Sequence, residues 1–135
     1  MKKLFSLLFF ISLLALISCS DDATGTGGGL LGGGGGGGVT FTVSIAQDQQ
    51  QQFYFEFKPS TAVVINTITA NCAAAGVNNQ QVTDDGTTVY DANNPAYVGP
   101  ITVLAQGQQW SFTIAGKLGS STGTAYSVTT NYVVQ

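Results

Sequence analysis

Two cysteines, seven carboxylates and no histidine set the chemistry open to this chain. Without histidine, the commonest general base and the commonest metal ligand are both missing. A serine or cysteine nucleophile would have no imidazole to activate it, and a Ser–Lys pair could draw only on Lys58 or Lys117 beyond the first few residues. Cys19 closes an N-terminal apolar run, and Cys72 stands alone in the rest of the chain. With no cationic residue near it in sequence to stabilise a thiolate, Cys72 is expected to be buried as a small hydrophobe. Asp84, Asp85, Asp91 and Asn93 are the closest approach to a calcium set, but the D-x-[DN]-x-[DN]-G spacing and the terminal Glu are absent. Asp84 and Asp85 are therefore expected as solvated turn carboxylates, and Glu56 with Lys58 as a surface pair. Tyr54, Tyr90, Tyr97, Trp110 and Tyr126, with many Asn and Gln nearby, could build a sugar-stacking platform. Trp110 fits the core as well, because it alternates in phase with Phe112 and Ile114. No catalytic residue, no metal set and no cofactor site is assigned, and an enzyme is not expected.

Charge narrows the partners further. The four cations are all lysines, and Lys2 and Lys3 precede the apolar run. From Cys19 onward, Lys58 and Lys117 face seven carboxylates, a side-chain net charge of −5. Nucleic acid is excluded as a partner, because phosphate binding needs clustered Lys or Arg. Electrostatic attraction to an anionic membrane is excluded for the same reason.

The N-terminus specifies a different route to a membrane. Lys2-Lys3 are followed by 14 residues, Leu4 to Ile17, that are apolar except for two serines. That length suits the apolar core of an export signal and falls short of the roughly 20 residues that span a bilayer. Leu16-Ile17-Ser18-Cys19 then resembles the lipobox of bacterial lipoproteins. The resemblance implies cleavage between Ser18 and Cys19 and a diacylglycerol on the Cys19 sulfur. Ser20-Asp21-Asp22 looks like the surface-export signal of Bacteroidota lipoproteins. It implies outer-membrane attachment with the protein facing outward, with a periplasm-facing attachment as the alternative. More than one acyl chain is needed for stable anchoring, and a diacyl cysteine meets that condition.

Eleven of the 14 residues from Gly25 to Gly38 are glycine. Such a stretch offers no side chains to pack and pays the largest backbone entropy on ordering, so it reads as a tether. The 19 residues from Ser20 to Gly38 would typically reach about 24 Å. Fully extended they span ~65 Å. Leu30-Leu31 interrupt the glycines and have two candidate destinations, the membrane or the folded domain. No Lys follows, so a phosphate-cradling loop is excluded.

These sites need a scaffold, and residues 39–135 supply one. Val39 to Ile45, Phe53 to Lys58 and Trp110 to Ile114 alternate apolar and polar with a period of two, the mark of half-buried strands. Phe53, Phe55 and Phe57 are placed on one face. Thr61 to Ala70 is apolar on both faces, as a central strand requires. Cys72 to Ala75 could form one helical turn that Gly76 stops. Asp84-Asp85-Gly86 reads as a tight turn into a short strand, Thr87 to Tyr90. Ile101 to Val103 is apolar, Lys117 to Gly123 reads as a hairpin loop, and Tyr126 to Val134 as the last strand. About seven short strands and no amphipathic helix predict an all-β, two-sheet antiparallel sandwich. Lys58, Pro59 and Lys117 are expected to guard its edges. The run from Leu104 to Ile114 resembles the approach to the penultimate strand of fibronectin type III and related immunoglobulin-like domains. Leu104, Gly107, Phe112 and Ile114 fit the tyrosine-corner pattern; Gln106 replaces its Pro and Trp110 its Tyr.

The expected organisation is a signal peptide at 1–18, a lipidated tether at 19–38 and an immunoglobulin-like sandwich at 39–135. The expected role is a lipid-anchored envelope protein displaying that sandwich for adhesion, assembly or other protein binding. The alternative is a surface glycan-binding module.

Overall fold

The computed structural model describes residues 38–135. The signal segment, Ser18 and Cys19 of the lipobox, Ser20-Asp21-Asp22 and the tether through residue 37 lie outside the described residues. The described chain is all-β. Its strands are β1 (Phe41–Gln47), β2 (Phe53–Pro59), β3 (Val63–Cys72), β4 (Val77–Thr83), β5 (Val89–Tyr90), β6 (Ala96–Ile101), β7 (Gln109–Leu118) and β8 (Ala125–Val133). They form two antiparallel sheets, β1-β2-β6 and β4-β3-β7-β8, with β5 paired to β3.

This order fits an immunoglobulin-like sandwich. There too the first two strands share a sheet with a later one, and the third joins the last two. β5 stays with β3 on the second sheet, so among the described residues no strand pairs with the far side of β6.

The core lies where the two inner faces meet. Phe57, Val63, Ile65, Phe112 and Ile114 are fully buried. Phe55 is the aromatic hub, with ring centroids 4.8 Å from both Trp110 and Phe112 in edge-on geometry. Phe57 meets Phe112 edge-on at 4.9 Å. Such contacts favour the ring quadrupoles and add to the area effect. Phe53, Phe55 and Phe57 occupy alternate positions of β2, one face as expected, but Phe53 is 38% exposed. It starts β2, where the pairing with β6 shifts register between Phe53 and Phe55.

The apolar run of β3 is central as expected, flanked by β7 on one side and by β4 and β5 on the other. Its end bends into a single 3-10 turn, Ala73–Ala75, capped by Gly76 in the left-handed region. Asp84-Asp85-Gly86 is not a hairpin turn. β4 and β5 both run antiparallel to β3, at Thr67–Cys72 and at Val63–Val64. Residues 84–88 therefore bulge out of one interrupted edge strand, and the Asp84 amide returns to the Asn66 carbonyl at 2.9 Å. Pairing with β3 outweighs the local turn signal because it satisfies more backbone groups.

The edge guards are also corrected. Lys117 lies on β7, an inner strand; Lys58 and Pro59 lie on β2 just past Phe57, where its pairing with β6 ends, and Pro59 is buried. The alternation pattern marks them as strand residues but carries no information about which strands end up at an edge.

Candidate functional site

The three aromatics Tyr90, Trp110 and Tyr126 are core residues. Tyr90 donates its hydroxyl to Asp84 Oδ2 at 2.7 Å. Burial, then that bond and charge, push the phenol well above its ordinary pKa. The Tyr126 hydroxyl donates to the Val64 carbonyl at 3.3 Å, and burial raises its pKa too. Gly116 makes this reach available. A Cβ there would lie 2.0 Å from the Val64 oxygen and 2.9 Å from the Tyr126 hydroxyl.

Trp110 does not close the corner directly. Its indole N–H donates to Gln108 Oε1 at 3.3 Å, and the same oxygen accepts the Ala105 amide at 3.0 Å. Gln108 is buried and bridges the turn as the phenol would in a tyrosine corner. Its backbone joins the C-terminus, with Val134 N–H donating to the Gln108 carbonyl and Gly107 N–H to the Val134 carbonyl.

Tyr54 and Tyr97 share the outer face of the three-stranded sheet, each half-buried. Ser44, Glu56 and Tyr97 stand directly opposite one another on β1, β2 and β6. Glu56 accepts from Ser44 Oγ at 2.7 Å and from the Tyr97 hydroxyl at 3.1 Å. Burial, and then the Glu56 charge, raise the Tyr97 pKa. Tyr54 donates toward Asp48 and Gln52, and its ring lies against Gly99, where a Cβ would come within 2.9 Å of it. The Glu56 carboxylate is thus tied to hydroxyls rather than to the expected partner Lys58.

The calcium candidates are separated into three local tasks. Asp85 caps the bulge, accepting the Thr87 and Thr88 amides and the Thr88 hydroxyl. Those bonds, the Thr88 hydroxyl first, hold its pKa well below the ordinary aspartate value. Asp91 accepts the Asn93 and Asn94 amides, and Asp84 takes Tyr90. Among the described residues no group of three or more His, Cys, Asp or Glu could hold a metal ion. Cys72 is buried, as expected.

Two surface features were not visible as sites in the sequence. The first is the outer edge of β8. At nine residues it is the longest edge strand among the described residues, with no charge and no proline, and Val133 on it is 39% exposed. The other edges are shorter or interrupted. β6 carries Gly99-Pro100, β4 and β5 are separated by the bulge, Asn79 within β4 sits at positive φ, and β1 has seven residues. The second feature is an apolar cleft of about 90 Å³ between β6 and β4, reaching down to Phe55, Ile68 and Trp110. It exists because no described strand covers β6.

Comparison with protein-family models, curated proteins and solved structures finds no match for this chain. The geometry offers hydrogen-bonded loop carboxylates, hydroxyls that are already engaged, an open strand edge and an apolar cleft.

Proposed function

We propose that this chain is a lipid-anchored cell-envelope protein that displays its immunoglobulin-like sandwich outward for assembly or adhesion through protein contacts. The lipobox at Leu16–Cys19 supports the anchor, and Ser20-Asp21-Asp22 supports display at the cell surface. The observation that carries the binding mode is the β8 edge. Along this uncharged nine-residue strand the outward N–H and C=O groups of alternate residues can pair with another strand, with Thr130 already donating its hydroxyl to the Phe41 carbonyl of β1. Soluble proteins normally blunt such an edge, so leaving it open is consistent with use. Affinity in this mode comes from main-chain hydrogen bonds, and alternate side chains (here Ser127, Thr129, Asn131 and Val133 outward) supply selectivity. The glycan alternative keeps only Tyr54 and Tyr97, whose hydroxyls are already bonded within the domain.

The anchor is tested by labelling with radioactive palmitate: the native chain should take the label and Cys19→Ala should not. Protease added to intact cells should remove the domain if it faces outward; complete protection would reverse the orientation. The binding mode is tested by crosslinking in intact cells. Ser127→Lys with Asn131→Lys puts two charges beside the β8 edge while the circular dichroism of the sandwich stays the same. Adducts of the native chain should fall at least tenfold in the double variant. Undiminished adducts would remove β8 as the contact.

A further inference from the structure

β8 and the cleft lie on opposite flanks of the sandwich. β8 ends the β4-β3-β7-β8 order and reaches β1 through the Thr130 hydroxyl, which donates to the Phe41 carbonyl at 3.3 Å. β6 and β4 end the two sheets on the other side, and the cleft opens between them. Phe55, Ile68, Val98 and Trp110 line it, Gln80 and Thr102 are its polar side chains, and no charged residue reaches it. Its volume of about 90 Å³ is on the scale of one branched aliphatic side chain. A dry cavity of ~150 Å³, for comparison, accepts benzene. Resting on the reading of β8 as a contact edge, we infer that its partner strand is β6 of a second copy of this chain, with Val133 of the first copy seated in the cleft of the second.

Three observations select that occupant. First, Phe53, Val89 and Val133 are the exposed large apolar side chains among the described residues. Phe53 lies on β2, which has a strand on each side, and Val89 on the two-residue β5. Val133 stands on a long open edge, and it is branched and aliphatic, as the volume of the cleft requires. Second, its backbone faces outward. Val134 donates to the Gln108 carbonyl and accepts the Gly107 N–H, so both of its groups are spent on the β7 side. Neighbouring residues of an antiparallel strand point opposite ways, which turns the N–H and C=O of Val133 to the open edge. The same alternation puts Ser127, Thr129, Asn131 and Val133 on one face, and Val133 is the apolar member of that set. Third, the receiving edge is free and uncharged. Among the described residues no strand pairs with the far side of β6, and neither β6 nor β8 carries a charge that would repel the other. Ala96 to Gly99 can pair before Pro100, which has no N–H to donate. A strand laid beside β6 roofs the cleft, so main-chain pairing and one side chain in one pocket act together. Because the donating edge and the receiving cleft are on opposite flanks, the contact is heterologous. Each copy uses β8 toward one neighbour and β6 toward the next, and the copies join head to tail.

Two differently tagged full-length forms are produced in the same cells at low copy number. One carries Asn131→Cys and the other Thr102→Cys, and a short, membrane-permeant bis-maleimide is added. The crosslink between the two tags should exceed by at least tenfold that of a control pair in which Ser120→Cys, in the loop between β7 and β8, replaces Thr102→Cys. Val133→Asp in the first form should reduce it to the control level, and Val133→Ile should keep it. In the second form Ala70→Leu fills the cleft from β3, and Val82→Glu puts a charge on its partly exposed β4 wall. Each should also bring the crosslink down to the control level with the circular dichroism of the sandwich unchanged. A yield equal to the control would overturn the inference, as would one that withstands Val133→Asp or both cleft variants. Adducts of the native chain that fall with Ser127→Lys and Asn131→Lys but withstand the cleft variants would overturn it and leave β8 as a contact edge for another protein. Adducts that withstand the β8 lysines as well would remove both.

Discussion

Replacing Gln108 with leucine tests how the corner before β7 is held. One amide oxygen accepts two donors, the Ala105 N–H at 3.0 Å and the Trp110 indole N–H at 3.3 Å. Trp110 is only 5% exposed, so its N–H has no water to turn to when the acceptor goes. Stranding a buried donor costs about 1–3 kcal/mol. The Ala105 amide is partly accessible and recovers some of its loss through water, leaving about 0.5–1 kcal/mol. The sum is roughly 1.5–4 kcal/mol, with the apolar contacts of the leucine offsetting little because the oxygen pointed at donors. In a domain of about 100 residues, that is a fall in Tm of roughly 6–20 °C. The assay is urea unfolding of the mature chain made soluble by Cys19→Ser, followed by tryptophan fluorescence. Trp110 is the single tryptophan, so the signal reports from the corner itself. Gln108→Glu keeps an acceptor for both donors and should lose less than the leucine variant. A loss below about 0.5 kcal/mol for Gln108→Leu, or a glutamate variant as weak as the leucine one, would refute the bridging role.

Gly116→Ala forces a Cβ to within 2.0 Å of the Val64 carbonyl oxygen, a backbone atom that cannot swing aside. It should cost at least the ~3 kcal/mol at the upper end of overpacking, and a loss under about 1 kcal/mol by urea unfolding would show that β3 and β7 slide apart easily. Asp85 should titrate, by carbon NMR of its carboxyl, below the ordinary aspartate midpoint of about 3.9. Because its folded pKa is depressed, the stability it contributes is present above that unfolded value and disappears as pH falls through the folded one. Thr88→Val should move the midpoint back up; an unmoved midpoint would contradict the Thr88 hydroxyl as the leading cause.

The sandwich is legible in the sequence because the strands that build its core alternate. β1, β2, β7 and β8 carry period-two patterns, and β3 is apolar throughout, so five strands and their inner faces follow from the residues alone. β4 and β6 are hidden for opposite reasons. Asn78 to Gln81 is polar because β4 lies at an edge, with little core to cover, and the run resembles a loop. Ala96 to Ile101 contains Gly99-Pro100, a turn signal, yet a proline is tolerated on a strand with one unpaired side. Gln108 escapes notice because a buried glutamine has no signature in a chain rich in exposed ones. The corner pattern points to the right place; Trp110 stands in the Tyr position and reaches the turn through the Gln108 amide oxygen. The carboxylates Asp84, Asp85 and Asp91 are turn residues as their types suggest, although the turn around Asp85 is a bulge.

The hidden strands and the candidate sites have one cause. A strand is easiest to recognise when both neighbours and a core face constrain its residues, and edge strands lack the first of these. In this domain the edges are also where the open strand edge and the cleft arise. The cleft opens because β5 joins β3 instead of covering β6, and the β8 edge stays open because Lys58, Pro59 and Lys117 fall on other strands. The chain has only 8% charged residues, too few to guard every edge. Even so, a single lysine at Ser127, Thr129 or Asn131 would have blunted β8 at little cost, since solvent-facing substitutions usually change stability by less than ~0.5 kcal/mol. Under the proposed function the unguarded edge serves a partner strand; the competing account is an edge left open because copies are too sparse to self-pair. Crosslinking of the native chain against Ser127→Lys with Asn131→Lys, at low and high expression, separates the two. A partner contact persists at low copy number, whereas adducts that appear only at high copy number would mark the edge as tolerated rather than used.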